Sequence, residues 1–297
     1  MPSGFICPPN RYGNGEEKVA YDSPAFPFYL RRSDLSRFAE HRALPHYHLD
    51  FEYIFVYSGV MAYDVDGEKA ILHQGEGIFV NSKSIHFGYG VGNQDCDFLC
   101  LLFSPLLLGS TQNLIDRFLT PYLDSATTFI LLPQGSKALQ TLQDLYREKM
   151  TGQPSELTYE SLLFRLWQET LPFFPASAKK KLSPDLASLK SMMAFIRSEY
   201  SQDLSLKNIA DAVYLSPSTA SRLFRHYLHQ SPIAYLIAYR LEESVKLLLQ
   251  THEEVSQIAF DCGYSSPSFF IRSFKEKYGM TPACYRRNKK KETSEAD

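Results

Sequence analysis

The chain has 297 residues, of which 44% are hydrophobic and 22% charged, and its formal net charge is −2. That length suggests about two domains of ~100–200 residues each, in an ordinary globular mix with ample core material. No apolar run nears the ~20 residues needed to span a bilayer, and the opening residues lack the basic-then-apolar pattern of a secretory signal. The cysteines, Cys7, Cys96, Cys100, Cys262 and Cys284, include no C-x-x-C pair and read as reduced thiols, so a cytoplasmic protein without a membrane partner is expected. The small net charge argues by itself against nucleic acid, but residues 1–185 carry −5, residues 186–291 carry +6 and residues 292–297 carry −3. A basic module joined to an acidic one is the asymmetry of a nucleic-acid reader fused to something else; a chance imbalance between two solvated surfaces is the alternative.

In chain order, residues 1–110 read as β. Strand-like runs cover Phe51–Tyr57, Met61–Asp66, Ala70–His73, Gly77–Asn81 and Asp97–Phe103, separated by breaks such as Asp66-Gly67. Many short strands at this spacing suggest a barrel or sandwich. By strand parity His46, His48, Glu52, Ile54 and Val56 point inward. Phe51, Tyr53, Phe55 and Tyr57 then point outward and require a sheet, helix or subunit to cover them.

Residues 111–175 switch to helical period, with Ala138, Leu139, Leu142, Leu145 and Tyr146 on one face and Leu162, Leu163, Leu166 and Trp167 on another. These faces suit pairing of two protomers, which is preferred, or packing back on the barrel. Pro172, Pro175 and residues 176–185 signal a linker. The chain then reads helical over 186–288, and residues 289–297 are expected to be disordered.

Two or three imidazoles and a carboxylate converging inside a barrel suit a divalent transition metal, which makes His46, His48, Glu52 and His86 candidate ligands. The preferred alternative is that these four, with Tyr47 and Tyr89, line a pocket for a small effector. The aromatics Phe28, Tyr29, Phe79 and Phe87 could stack on an apolar or sugar-ring face, or be ordinary core.

The strongest signal is an internal repeat. Asn208–Ser216 aligns with Gln257–Ser265; beyond one extra residue the match resumes at an offset of 50, pairing Pro217 with Pro267, Ser218 with Ser268, Arg222 with Arg272 and Phe224 with Phe274. Each copy has the physics of a helix-turn-helix, over 207–228 and 255–278. A short helix carries Ile and a small Ala inward, and a turn follows at which Gly263 supplies positive φ. Ser216 or Ser265/Ser266 then caps a second helix that has Pro in its first turn. That helix buries Leu223 and Phe224, or Phe270 and Phe274, and turns Arg222 and Arg225, or Arg272 and Lys275, outward, as a major-groove helix must. Tyr214 stands where Gly or Asn would be comfortable, which leaves the geometry of the first turn open.

On these residues, and on Ile258-Ala259, Cys262-Gly263-Tyr264, Pro267–Phe270, Gly279, Thr281-Pro282 and Tyr285-Arg286, the stretch 186–288 resembles the DNA-binding domain of the AraC/XylS family of regulators. The resemblance implies two helix-turn-helix subdomains joined by a long helix, about Pro232–Leu249, with reading helices at Ser216–Tyr227 and Ser266–Lys277 in successive major grooves. Carried over by position, Ser218, Thr219, Ser221 and Arg222, and Ser268, Phe269, Ile271 and Arg272, face bases; Arg225 and Lys275 hold phosphate. His46-x-His48-x3-Glu52-x6-Gly59, with His86 beyond, resembles the first cupin motif and its later histidine, although Ser82-Lys83 departs from the second motif.

The expected fold is α+β: a cupin-like barrel with a helical segment, then an all-α domain. The expected function is ligand-responsive, sequence-specific transcriptional regulation rather than catalysis. Double-stranded DNA, a small-molecule effector such as a sugar, a second copy of the chain and RNA polymerase are the expected partners, with no cofactor beyond the metal already considered. A metal-dependent cupin enzyme carrying a DNA-binding tail is the alternative.

Overall fold

A computed structural model describes residues 17, 19–23, 25–123, 125–152, 155–175 and 183–294. Cys7, residues 176–182 of the expected linker and residues 295–297 lie outside the described residues. The described chain falls into two compact units, up to Leu182 and from Ser183 onward. Among the described residues no helix is long and apolar enough to cross a membrane.

The first unit contains strands β1 (Phe28–Asp34), β2 (Phe51–Val65), β3 (Glu68–His73), β4 (Gly77–Val80), β5 (His86–Gly90), β6 (Cys96–Phe103) and β7 (Phe129–Leu132). Its helices are α1 (Gln112–Phe118), α2 (Thr120–Leu123), α3 (Lys137–Met150) and α4 (Glu156–Thr170). All pairings are antiparallel: β1-β6-β2-β4-β7 run side by side, and β3 and β5 flank the far half of β2.

Strand β2 thus serves two sheets. The register shifts between Val56 and Ser58, a bulge that exchanges the faces of odd and even residues. Ile54 and Val56 before it, and Met61, Tyr63 and Val65 after it, consequently share one apolar interior with Ile78, Val80 and Phe98. The expected runs Phe51–Tyr57 and Met61–Asp66 are this single strand. β1, β5 and β7 were not among the expected strands; β7 lies inside the segment expected to be helical.

The outward row finds its cover within the same chain. Phe51, Tyr53 and Phe55 pack with Leu139, Leu142, Leu145, Leu163, Leu166 and Trp167. Phe51 stacks on Trp167 with centroids 4.8 Å apart, and Tyr53 donates from its hydroxyl to Thr170 Oγ1 at 3.0 Å. Such an aromatic pair adds ~0.5–1.5 kcal/mol beyond its area burial. The helical faces preferred for protomer pairing are therefore turned onto their own sheet, because the aromatic row of β2 needs them. Barrel and helical segment form one unit rather than two.

The second unit is all helix: α5 (Pro184–Glu199), α6 (Leu206–Asp211), α7 (Pro217–Leu228), α8 (Pro232–Gln250), α9 (Val255–Asp261), α10 (Pro267–Tyr278) and α11 (Pro282–Ser294). Against the expectation of disorder from residue 289, α11 continues to Ser294, since no Gly or Pro interrupts the Lys/Glu-rich sequence after Pro282. Helix α8 joins two small cores. One buries Ile209, Ala210, Leu223 and Phe224; the other buries Ile258, Ala259, Phe270 and Phe274.

Candidate nucleic-acid interface and barrel site

In both copies the chain leaves the first helix by the same bond. Leu215 N–H donates to Ala210 O at 3.0 Å, and Tyr264 N–H donates to Ala259 O at 2.9 Å. The turn residues Tyr214 and Gly263 both adopt the left-handed conformation, at φ 56° and φ 80°. Tyr214 thus takes the turn geometry its glycine counterpart would take, and the first unit closes like the second. Ser216 Oγ caps α7 by accepting from Thr219 N–H at 3.2 Å, whereas Ser266 makes no side-chain cap on α10.

Ala220, Leu223, Phe224 and Leu228 of α7 and Phe270, Ser273 and Phe274 of α10 are consumed by the cores. The opposite faces are open: Ser218, Arg222 and Arg225 are exposed on α7, and Ser268, Phe269, Ile271, Arg272 and Lys275 on α10. Thr219 and Ser221 are half-buried, and Thr219 Oγ1 lies 2.9 Å from Ser216 Oγ. Arg222 has Asp185 of α5 3.6 Å away, a partner not legible in the sequence. Arg272 lies over the ring of Phe269, 5.4 Å from its centroid.

Part of the positive charge of this half is structural. Arg197 Nε donates to the Tyr235 hydroxyl at 2.9 Å; Arg240 donates to Tyr200 O at 2.7 Å and Gln202 O at 2.6 Å; Arg286 donates to Leu248 O at 3.0 Å and Glu253 O at 2.8 Å.

In the first unit, His46, His48, Glu52 and His86 come together, each offering a ligand atom within 4.8 Å of the others. His46 precedes β2 and forms a bridge with His86 of β5. Glu52 Oε2 is 3.1 Å from His48 Nε2 and 2.9 Å from His86 Nε2, and Oε1 accepts from the Tyr63 hydroxyl. The His86 contact is close but out of line, so His86 Nε2 makes no hydrogen bond although it is buried.

Burial pushes the His46 imidazole down to about 4, against the pull of Glu17. Burial also opposes charge on His48, but its hydrogen bond to Glu52 prevails and raises it. Burial alone would raise Glu52; His86 and His48 beside it hold it well below the usual carboxylate range.

Cross-strand register sets Tyr29, Leu102 and Glu52 in one row, and Arg31, Cys100 and Ile54 in the next. Arg31 went unrecognised because β1 was not read as a strand, whereas Cys100 lies on β6, an expected strand whose facing was not assigned. The half-buried Tyr47 is near the cluster in sequence, and its carbonyl accepts from Glu17 N–H at 2.8 Å. Tyr89 is not part of the site. Three residues from His86, it takes the other face of β5, where it donates to Asp64 Oδ2 at 2.8 Å and stacks on Phe87. Phe28 and Phe79 belong to the core under the helices.

Residues 35–167 match the model of the AraC-like ligand binding domain, and residues 209–288 match that of a helix-turn-helix domain. The chain belongs to the AraC/XylS family of transcriptional regulators. It is 26% identical over 251 residues to the HTH-type transcriptional regulator YdeC of Bacillus subtilis, covering 82% of this chain and 85% of that one. Identity to the HTH-type transcriptional regulator YpdC of Escherichia coli is 23% over 232 residues, 74% of this chain and 76% of that one. ToxT of Vibrio cholerae O395 is similar in structure with a TM-score of 0.48 at 12% identity, covering 88% of this chain and 97% of that one. As an AraC/XylS member the chain is a ligand-responsive, DNA-binding regulator, and its cupin-like sheet domain is the ligand-binding half. The ligand-binding match begins after β1, so Tyr29 and Arg31 lie outside the matched segment.

Proposed function

We propose that α7 and α10 enter successive major grooves of one duplex, with Arg222 and Arg272 on guanine edges and Arg225 and Lys275 on phosphates. The observation that carries this reading is the pair of equivalent arginines, 50 residues apart, both exposed on helices whose other faces are buried. Ser218, Thr219, Ser221 and Ser268 supply hydroxyls to the same surface, and Phe269 and Ile271 offer apolar contact to thymine methyls. The effector is a small polar molecule held on the interior face beside Glu52, with Tyr29 and Arg31 in reach of it. A sugar stacked on several aromatics is disfavoured, since Phe28, Phe79, Phe87 and Tyr89 face elsewhere. The effector acts by binding one state of the protein more tightly than another. Two copies pair through surface other than the faces spent on the sheet; Leu157, 77% exposed on α4, is available for that contact. Cytoplasmic location and contact with RNA polymerase belong to the same reading.

The test is a gel shift on a selected operator and on unrelated DNA. Arg222→Ala or Arg272→Ala is expected to weaken operator binding by about 1–3 kcal/mol each and to leave non-specific binding nearly unchanged. Equal loss on both DNAs would sink the base-contact assignment.

A further inference from the structure

We propose that Phe269 is a positioning residue for base reading: its ring holds the Arg272 guanidinium ready for a guanine edge, so the second reading helix meets DNA with a pre-ordered arginine and the first does not. The inference rests on the DNA reading above and deepens it at one residue.

The seat of Arg272 is the first argument. Phe269 and Arg272 are three residues apart on α10, a spacing that puts them on one helix face. The guanidinium lies over the ring, 5.4 Å from its centroid, inside the ~6 Å reach of a cation–π contact. A planar guanidinium stacked on an aromatic face still presents its N–H fork edge-on to guanine O6 and N7. An ion pair instead engages those same N–H groups, as Asp185 does for Arg222.

Anchoring of the ring is the second. Phe269 is 40% exposed and stands outside the core positions of α10, Phe270, Ser273 and Phe274. Its ring leans on that of Tyr264, with centroids 6.0 Å apart. Tyr264 is buried; it packs on Phe270 at 5.1 Å and donates from its hydroxyl to Ile237 O of α8 at 3.4 Å. The Arg240 guanidinium lies 5.6 Å from the centroid of the Tyr264 ring. A row of Arg240, Tyr264, Phe269 and Arg272 thus runs from the long connector to the reading face, and its inner members are fixed. A ring backed in this way has little freedom left to lose when DNA arrives.

The third is the contrast between the copies. The offset of 50 sets Thr219 where α10 has Phe269, and Leu215 aligns with Tyr264. Thr219 Oγ1 lies 2.9 Å from Ser216 Oγ at the helix cap, so no ring supports Arg222. Ordering a long side chain on binding costs affinity, and that cost falls on the first helix. Bidentate contact with a base needs a fixed fork, whereas a phosphate contact needs only a nearby charge. The support from Phe269 therefore shows in operator binding and not in binding to unrelated DNA.

The experiment uses the full-length protein, with binding to a selected operator and to unrelated DNA measured by fluorescence anisotropy. Phe269→Leu keeps an apolar side chain and removes the ring. It should weaken operator binding about two- to fivefold, the weight of an exposed cation–π contact, and leave unrelated DNA unaffected. The preference for guanine over adenine at the contacted position should fall by the same factor. Phe269→Tyr restores the ring and should restore both. In an Arg272→Ala background Phe269→Leu should have no further effect. An equal loss in both backgrounds means that the ring acts by its own apolar contact and overturns the proposal, as does wild-type operator affinity in Phe269→Leu. A loss on both DNAs with earlier thermal unfolding assigns Phe269 to folding and overturns it too. If Arg272→Ala alone weakens operator and unrelated DNA equally, the base-contact reading itself fails; a selective Arg272→Ala loss without coupling to Phe269 defeats this proposal only.

Discussion

The two helix-turn-helix units place left-handed residues at the same two points, the turn and the end of the reading helix. In the first unit these are Tyr214 at φ 56° and His229 at φ 55°; in the second they are Gly263 at φ 80° and Gly279 at φ 72°. Tyr214 is 98% exposed. A Cβ on Gly263 would instead come 2.5 Å from Tyr200 O and 2.9 Å from Arg240 Nη2, whereas one on Gly279 would meet nothing within 4 Å. Both units share a backbone requirement, but only at Gly263 does the neighbourhood also exclude a side chain. That neighbourhood is the Arg240 clasp on the end of α5, so the second turn is packed against the first half of the domain while the first turn faces water.

Breaking this difference gives the largest effect. Gly263→Ala combines left-handed strain with a collision against backbone and should cost about 2–4 kcal/mol. Gly279→Ala carries strain alone and should cost about 1–2 kcal/mol. Tyr214→Ala keeps the same φ and removes an exposed ring, so a change below about 0.5 kcal/mol is expected. Urea denaturation of the three variants tests the order; a Gly263→Ala loss no larger than that of Gly279→Ala would remove the packing account.

The reading faces differ next. Arg272 is set over Phe269 and makes no ion pair among the described residues, whereas Arg222 is shared with Asp185. Arg272→Ala should accordingly cost more operator affinity than Arg222→Ala, both within about 1–3 kcal/mol. Gel shifts on one operator rank them, and the reverse order would mean that the first helix dominates reading.

Legibility follows the same division. The repeat, both reading helices and the long connector were readable because helix periodicity, caps and Pro positions are local. Tyr214 was the doubtful point, since a bulky residue at positive φ contradicts propensity; exposure resolves it, and exposure is a tertiary fact. In the sheet domain the histidine cluster was readable from parity up to Val56. Beyond it the bulge in β2 reverses parity, and no residue type marks it. Tyr89 was misplaced although its odd spacing from His86 already sets it on the opposite face. The row through Tyr29 and Arg31 depended on β1, an edge strand without clean alternation. The net charge of +6 counted over residues 186–291 includes Arg197, Arg240 and Arg286, whose bonds are internal.

Caps separate the units by a smaller amount. Ser216 accepts from Thr219 N–H, and Ser266 makes no side-chain cap. Ser216→Ala should destabilise by about 1 kcal/mol and Ser266→Ala by almost nothing. Thermal melts of the two variants check it, and equal shifts would erase the distinction.

The smallest effect tests whether Asp185 holds Arg222 back from DNA. The pair is 3.6 Å apart with both side chains about half exposed, 60% and 47%, so it belongs to the class worth about 0–1 kcal/mol. Asp185 also lies in the first turn of α5, where a negative charge favours the helix by about 0.3–1 kcal/mol. Asp185→Asn should therefore melt slightly earlier and yet bind operator a few-fold more tightly, by freeing the guanidinium and removing a charge that repels phosphate. The two causes separate in a double-mutant cycle. If release of Arg222 is responsible, the gain vanishes when Asp185→Asn is made in the Arg222→Ala background. If it persists there, Asp185 acts only through the general field, and the first reading helix is as free as the second.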